Sequence, residues 1–515
     1  MLSQRHARQL RESAPLSLED LVCVVLFAFF AMQGAVPFIA PAQSLEMTGS
    51  APTPLTTVGG IASQALANLL ILALLLRRPR LLLHQITELP WLILPALLAI
   101  LAIASAAWSL DPLLTLRRSL PFALAGIFGF WFATRHSLAR QLAILRFAML
   151  ALSIATIAIV LFAPALGLDH SPGHAGDWQG IFTQKNACGR MMVLATATIL
   201  CGPARNLRRP SHLATLGLFF FVLLMSGSRG AWMIEAAVLG MFALLVVTRR
   251  SGQRLRLALA AAIPIAGLAI GTAAIINFRH LAALLGRDPT LTGRTAIWTQ
   301  VALFIGQRPW FGYGFDAFWR GMQGPSFQIA AAVHFVVAHA HNGFLEIALE
   351  LGAAGSVIFA LSWFRGWLAL WPLWQRGAIH RIAWPLAVLV LIVLYDLDEN
   401  TLLIYNGLFW ILYVSALVNI ERSALRSSAQ RTSRAEPALS KPRAQNRGPH
   451  APAFGAMGWQ RGARRTGPAL SKLRAERGAR RTGDLHHTAA HTPREILESG
   501  PQPTPYVAAR VQELP

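Results

Sequence analysis

Leu142-Ala-Ile-Leu-Arg-Phe-Ala-Met-Leu-Ala-Leu-Ser-Ile-Ala-Thr-Ile-Ala-Ile-Val-Leu-Phe-Ala-Pro-Ala165 is the stretch that decides the fold. Arg146 is its single charge. A bilayer core takes about 20 apolar residues per helix, with about 17 to 25 tolerated, and this stretch fits. The same signature recurs along the chain. Twelve candidate spans run roughly Leu18–Ala40, Leu55–Leu76, Leu89–Trp108, Leu113–Phe132, Leu142–Ala165, Cys188–Ala204, Ser211–Gly227, Gly230–Thr248, Leu255–Asn277, Gly343–Phe364, Ile382–Tyr395 and Thr401–Ile420. The sixth, seventh and eleventh are short. Between the tenth and eleventh, Trp367 to Trp374 reads as an interfacial segment, because Trp favours the headgroup level.

Composition agrees. Charged residues are 13% of the 515, against about 25% in soluble domains. Hydrophobic residues are 54% and mean hydropathy is +0.48, which excludes a soluble globule and wholesale disorder alike. Cys23, Cys188 and Cys201 all sit in apolar runs and read as small hydrophobes, so a disulfide scaffold is excluded. Of the net charge of +23, the tail from Glu421 to Pro515 carries +10 and the rest +13. In a polytopic chain such a balance reads as cytoplasmic loops obeying the positive-inside rule rather than as nucleic-acid binding.

Arginines set the expected orientation. Alternate loops carry Arg77, Arg78 and Arg80; Arg135 and Arg140; Arg205, Arg208 and Arg209; Arg249, Arg250, Arg254 and Arg256; and Arg365, Arg376 and Arg381. Pro41–Pro54 and Asp396–Asn400 carry none, and the pair Arg117–Arg118 is the main exception. Residues 1–17, with Arg5, Arg8 and Arg11, are therefore expected in the cytoplasm, as is the tail, residues 421–515. The first span is long for a signal peptide and reads as an anchor, although Ala40-Pro41-Ala42 weakly mimics a cleavage site.

The expected outer side then holds Gly167–Ala187 and a long loop over residues 278–342. The long loop is too aromatic for disorder, with Trp298, Trp310, Phe311, Tyr313, Phe315, Phe318 and Trp319. Thr295–Phe304 reads as an amphipathic helix with Ile297, Val301 and Phe304 on one face, part of a small folded lid. The tail is low complexity: Pro437-Ala-Leu-Ser-Lys441 recurs at Pro468–Lys472, and Arg461–Gly467 at Arg477–Gly483. Such sequence cannot bury a core; binding to anionic membrane lipids is open to it.

Several residues could carry chemistry. Asn342, Glu346 and Glu350 share one helical face at the start of the tenth span, where carboxylates are costly unless they meet polar neighbours or a water-filled cavity. Helix capping explains Asn342 and Glu346, but not His341, which can act as a general base. Arg229, in Met225-Ser-Gly-Ser-Arg-Gly-Ala-Trp232, is either a snorkelling side chain or a bidentate phosphate clamp. Arg294 precedes the amphipathic helix, where exposed N–H groups favour anions. Lys185 is the only lysine before Lys441 and has Asn186 beside it. Asp396, Asp398 and Glu399 could hold Mg²⁺, but read better as a solvated acidic turn, so no metal site is expected. There is no Walker loop, no dinucleotide fingerprint and no His-Glu-x-x-His.

Three segments, in this order, resemble a family: Gly286-Arg-Asp-Pro-Thr-Leu-Thr-Gly-Arg-Thr-Ala-Ile-Trp298, Arg308-Pro-Trp-Phe-Gly-Tyr-Gly314 and Ala340-His-Asn-Gly-Phe-Leu-Glu-Ile-Ala-Leu-Glu-Leu-Gly352. They are similar to the O-antigen ligase and polymerase superfamily, most of all to its exopolysaccharide polymerase branch. Thr183-Gln-Lys-Asn186 resembles that branch's His-Lys-Asn element, with Gln184 in place of the His. Ser226-Gly-Ser-Arg-Gly230 and Glu399-Asn-Thr-Leu-Leu403 also fit, so the resemblance runs from about Leu18 to Ile420.

The resemblance implies an all-α, GT-C-like membrane glycosyltransferase over residues 18–420, in a bacterial inner membrane with its active face periplasmic. It implies a glycan on undecaprenyl diphosphate as donor, and no cofactor or metal. The acceptor would be a sugar hydroxyl on another repeat unit, or lipid A–core in the ligase branch. His341 would be the general base, Arg294 and Arg229 would stabilise the leaving diphosphate with Lys185 in support, and Asn186, Asn342, Glu346 and Glu399 would bind substrate. Glu346 would orient His341 or hold sugar hydroxyls. A lipid-linked sugar flippase or other transporter would also be polytopic, but would show paired repeats with broken helices, and the spans show no internal repeat. A sugar-binding sensor would need an effector domain, a role the tail suits poorly.

Overall fold

A computed structural model describes residues 15–34, 54–77, 85, 87–171, 174–202, 209–259 and 294–439. Among these the chain is all helical, apart from one isolated antiparallel bridge between Leu168 and Trp178. The helices are α1 (Leu18–Ala31), α2 (Pro54–Leu76), α3 (Ile93–Ala104), α4 (Pro112–Arg135), α5 (Leu138–Phe162), α6 (Lys185–Leu200), α7 (Pro210–Met225), α8 (Arg229–Arg250), α9 (Arg294–Gln307), α10 (Pro325–Val333), α11 (Gly343–Gln375), α12 (Ile379–Asp398) and α13 (Leu408–Leu439). A second unit, from Arg443 to Pro515, lies outside the described residues, as do the tail repeats.

Eight of the helices are long and apolar enough to cross a membrane. They correspond to eight of the twelve expected spans: the second to fifth, the eighth, and the tenth to twelfth. Three other spans are shorter helices, α1 with 14 residues and α6 and α7 with 16 each. The ninth falls almost wholly outside the described residues. Large apolar side chains stay exposed on outward faces, such as Leu76, Leu113 and Phe162, as a lipid-facing surface requires.

The interior is held by close approach and by polar cross-links. α13 runs along α4, where Gly129 leaves room for the Ile411 backbone; a Cβ there would meet the Ile411 carbonyl oxygen at 2.6 Å. Small residues serve this purpose between membrane helices. Trp410 donates to the Phe122 carbonyl (2.9 Å), and Asn419 to Gln141 (2.8 Å). α6 is the central helix, with every residue from Ala187 to Leu200 buried.

Two readings change. Arg117 and Arg118 lie in α4, inside the expected fourth span, and need not be an exception to the arginine pattern. Arg118 turns inward to the Asp316 carbonyl (2.6 Å) and carboxylate (3.2 Å), so it is a packing contact and not an orientation signal. The Trp367–Trp374 stretch is not a separate interfacial segment either. It continues α11, and Arg365, on the preceding turn, pairs with Glu421 of α13 at 3.1 Å.

α11 is broken at Gly352, which has φ +64°. Helix breaks free backbone groups that must be satisfied where water is absent. Here the Arg308–Gly314 segment supplies the partners. Tyr313 N–H donates to Leu349 O (3.0 Å) and Gly314 N–H to Glu350 O (3.0 Å), while Ala353 and Ala354 donate to Pro309 O (2.8 Å) and Trp310 O (3.1 Å). The glycines are needed for this approach: a Cβ on Gly352 would strike the Trp310 backbone, and one on Gly312 the Leu349 carbonyl oxygen at 2.5 Å. We expect Gly352→Ala to lose about 1–3 kcal/mol, because it adds both left-handed strain and a backbone clash. Thermal unfolding in detergent measures it, and an unchanged midpoint would show that the break is not latched this way.

The expected lid exists as a packed unit. α9 buries Ile297, Val301 and Phe304, the face read from the sequence. These join Tyr313, Phe318, Ile329, Val337, Ala340 and Leu349 in a second core, separate from the bundle core. Of the aromatic residues, Tyr313, Phe315 and Phe318 are buried, whereas Trp310 and Phe311 are exposed.

Candidate active site

The lid, the first turns of α6, α8 and α11, and the last turn of α12 meet at one end of the bundle. Two glycines set the spacing there. A Cβ on Gly230 would lie 2.7 Å from the Asp398 carboxylate, and one on Gly343 would collide with Asp396.

Glu399 is the hub. It caps the end of α12 and is 3% exposed. Its Oε2 lies 3.1 Å from His341 Nδ1 and 3.8 Å from His339 Nε2. Its Oε1 accepts from Arg294 Nη2 (3.2 Å) and more loosely from Asn186 Nδ2 (3.4 Å). Burial alone would raise the Glu399 carboxyl. The hydrogen bond from His341 and the nearby His339, His341 and Arg294 outweigh it and hold the group well below the usual carboxylate range. Glu399 is therefore ionised and can only accept.

That fixes the imidazoles. A neutral His341 places its proton on Nδ1, toward Glu399, which leaves the Nε2 lone pair unshared; Nε2 makes no hydrogen bond among the described residues. His341 has φ +50°, the left-handed region, and its ring lies 4.1 Å from that of His339. His339 accepts the His341 backbone N–H on Nδ1 (3.2 Å), so its proton sits on Nε2. Burial, with His341, Arg190 and Arg294 nearby, holds His339 below its usual range, so it stays neutral.

The other candidates divide. Arg294 is committed to Asp398, at its Oδ1 (2.8 Å) and its carbonyl, as well as to Glu399. Arg229, at the start of α8, is exposed, and its side chain has no partner among the described residues. Lys185 sits 2.6 Å from both Asp177 and His174, which anchors the Gly167–Ala187 loop. Asn186 links Glu399 to Ser228 (3.0 Å). Asn342 caps α11, accepting from Phe344 (3.1 Å) and Leu345 (3.0 Å). Glu346 is 1% exposed and does not orient His341. It accepts from Trp319 and from Ala340 N–H (2.8 Å), tying the lid to the histidine loop. Asp396, Asp398 and Glu399 do not converge, since Asp396 accepts from Thr401 and Leu402.

Arg190 is the residue the sequence reading passed over. It is 4% exposed on α6, its Nε has no partner, and its side chain makes no hydrogen bond or ion pair among the described residues. His339, Tyr395 and Asp396 lie within its electrostatic reach, and the Tyr395 hydroxyl and Asp396 Oδ2 are also unpaired. The signal was available: Arg190 is an ionisable residue inside an expected span, which by default marks function. Glu235, buried on α8 against Thr196 (2.8 Å), gave the same signal.

Residues 214–360 match the O-antigen ligase family. The resemblance read from the motifs therefore stands, over a shorter segment than Leu18–Ile420. Arg229, Arg294, His341, Asn342 and Glu346 fall inside the O-antigen ligase match, while Asn186, Arg190 and Glu399 reach the same site from outside it; Lys185 also lies outside the match. The chain is also 28% identical to the exopolysaccharide production protein ExoQ of Rhizobium meliloti (strain 1021), over 29% of this chain and 41% of that protein. The protein is thus a multi-pass, all-α membrane protein, similar over part of its length to the O-antigen ligase family and to an exopolysaccharide production protein.

Proposed function

We propose that this protein transfers a glycan from polyprenyl (undecaprenyl) diphosphate to a sugar hydroxyl, polymerising repeat units of an exopolysaccharide or O-antigen. The observation that carries the reading is the Glu399–His341 pair beside unpaired arginines. His341 Nε2 takes the proton of the acceptor hydroxyl as its oxygen attacks the anomeric carbon. The bond from that carbon to the diphosphate oxygen breaks, and the charge that develops is met by Arg190 and Arg229. Arg294 holds Glu399 and Asp398 in place. Trp310 and Phe311 offer exposed faces to sugar rings. The ExoQ similarity supports an exopolysaccharide as the glycan. Transfer to lipid A–core is the second reading, favoured by the description of the matching family.

Deleting the gene and analysing surface polysaccharide tests both. Loss of long chains with accumulation of single lipid-linked repeats is expected. Full-length polymer left on its lipid would favour the ligase, and unchanged polysaccharide would overturn both readings.

His339, His341 and Glu399 bring three donor atoms within 4.8 Å of one another, a metal-ligand composition. Arg294 already occupies Glu399, and Arg190 lies close by, so a dication would meet two fixed positive charges. Transfer by the purified protein should therefore survive EDTA. Loss of activity restored by a divalent cation would replace the base mechanism with a metal one.

The reading also places the lid in the periplasm and both termini in the cytoplasm. Cysteines at Met322 or Pro325 should react with an impermeant thiol reagent in spheroplasts, and cysteines at Arg78 or Arg250 should not. Reversed labelling would remove the site from the periplasmic face.

A further inference from the structure

A large cavity among the described residues lies away from the His341 site. It lies at the opposite end of the bundle and has a volume of about 1010 Å³. The starts of α1, α5 and α12, the end of α4 and the middle of α13 form its walls. Five arginines line it, Arg135, Arg140, Arg381, Arg422 and Arg426, against two carboxylates, Glu19 and Asp20.

The carboxylates are already used. Glu19 pairs with Arg135 (2.6 Å) and Asp20 with Arg140 (2.7 Å), while Arg422 donates to the Ala133 (2.8 Å) and Thr134 (3.1 Å) carbonyls. Arg381 and Arg426 are left over, and their guanidiniums make no hydrogen bond or ion pair among the described residues. His136, 8% exposed in the same wall, makes no hydrogen bond through Nε2, which faces Asp20 (3.6 Å) and Glu19 (3.9 Å) instead. Helix starts add partial positive charge, and the start of α12 has no side-chain cap. A positive-inside signal needs arginines only in flanking loops. Here they come from helices far apart in sequence and line one space, five guanidiniums against two carboxylates.

We propose that this cavity binds a phosphate group, as a bidentate ligand of Arg381 and Arg426. The geometry suits guanidinium, which pairs with phosphate through two parallel N–H donors. The phosphate comes either from the headgroup of an anionic membrane lipid or from a soluble phosphate compound. This inference does not depend on the transferase reading, because the two sites share no residue.

Thermal unfolding of the purified full chain tests it in two arms. One arm compares nanodiscs of phosphatidylcholine with nanodiscs containing phosphatidylglycerol. The other titrates inorganic pyrophosphate in neutral detergent. Stabilisation in the first arm identifies a lipid headgroup, and in the second a soluble phosphate. Pyrophosphate also has access to the His341 end, so the diagnostic quantity is the part of the shift that depends on Arg381 and Arg426. Arg381→Gln/Arg426→Gln should weaken apparent affinity about tenfold or more, the loss of at least one charge-assisted contact. Neither guanidinium makes a hydrogen bond or ion pair among the described residues, so the double variant should fold. Glu19→Gln removes an opposing anion and frees Arg135, so binding should tighten. No stabilisation in either arm, or a shift fully retained in the double variant, would overturn the proposal.

Discussion

His341→Ala should retain donor binding while single-turnover transfer falls by about 10² to 10⁴, the range expected when a general base is lost. Glu399→Gln should be nearly as damaging, for a different reason. A glutamine amide can donate to Nδ1, which would place the His341 proton on Nε2, the atom that must accept one. Glu399→Asp keeps the acceptor and should recover part of the rate, a rescue that a purely structural carboxylate would not show. The folded Glu399 carboxyl lies below its ordinary value of 4.5, so its contribution to stability is complete above that pH. The contribution is lost as pH falls toward the depressed value. Glu399→Gln should flatten the acid side of the stability curve accordingly. Full transfer activity in His341→Ala would end the base mechanism.

Arg190→Met should separate stability from function. A buried guanidinium without a partner is a cost to the folded state, and an apolar side chain of similar size removes it. The variant should unfold at the same temperature as the parent or higher. Transfer should nonetheless fall by about 10² to 10³, comparable to losing one preorganised donor aimed at developing charge. The stabilisation conferred by undecaprenyl diphosphate should shrink with it. Arg190→Lys keeps the charge without the planar fork and should lie between. A destabilised Arg190→Met with unchanged donor affinity would make Arg190 a structural residue, linked to Asp396 through buried water.

Most of the fold was legible because membrane helices announce themselves by length and apolarity, which need no tertiary information. Even α9 was readable, since its buried face follows local periodicity. The break in α11 was not: Gly352 is one glycine among many until Trp310 is seen against it. Arg118 misled because charge counts along a chain do not show whether a side chain turns inward to Asp316. At the site, the residue types at 341, 294 and 229 could be read, but their partnerships could not. Glu346 and Glu399 are both acids near His341 in expectation. Only the fold shows that Glu346 serves Ala340 and Trp319 while Glu399 holds the imidazole.

The main-chain pairing of Arg308–Gly314 with the two halves of α11 has a consequence for biogenesis. The segment that satisfies the break is synthesised before the break itself. When the ribosome releases Leu349 to Ala354, their partners at 309–314 are already made, and α9 can already have formed beside them. A circular permutation that moved α11 ahead of this segment would ask an interrupted helix to enter lipid with its carbonyls bare. Chain order thus makes the partners of the break available before the break itself.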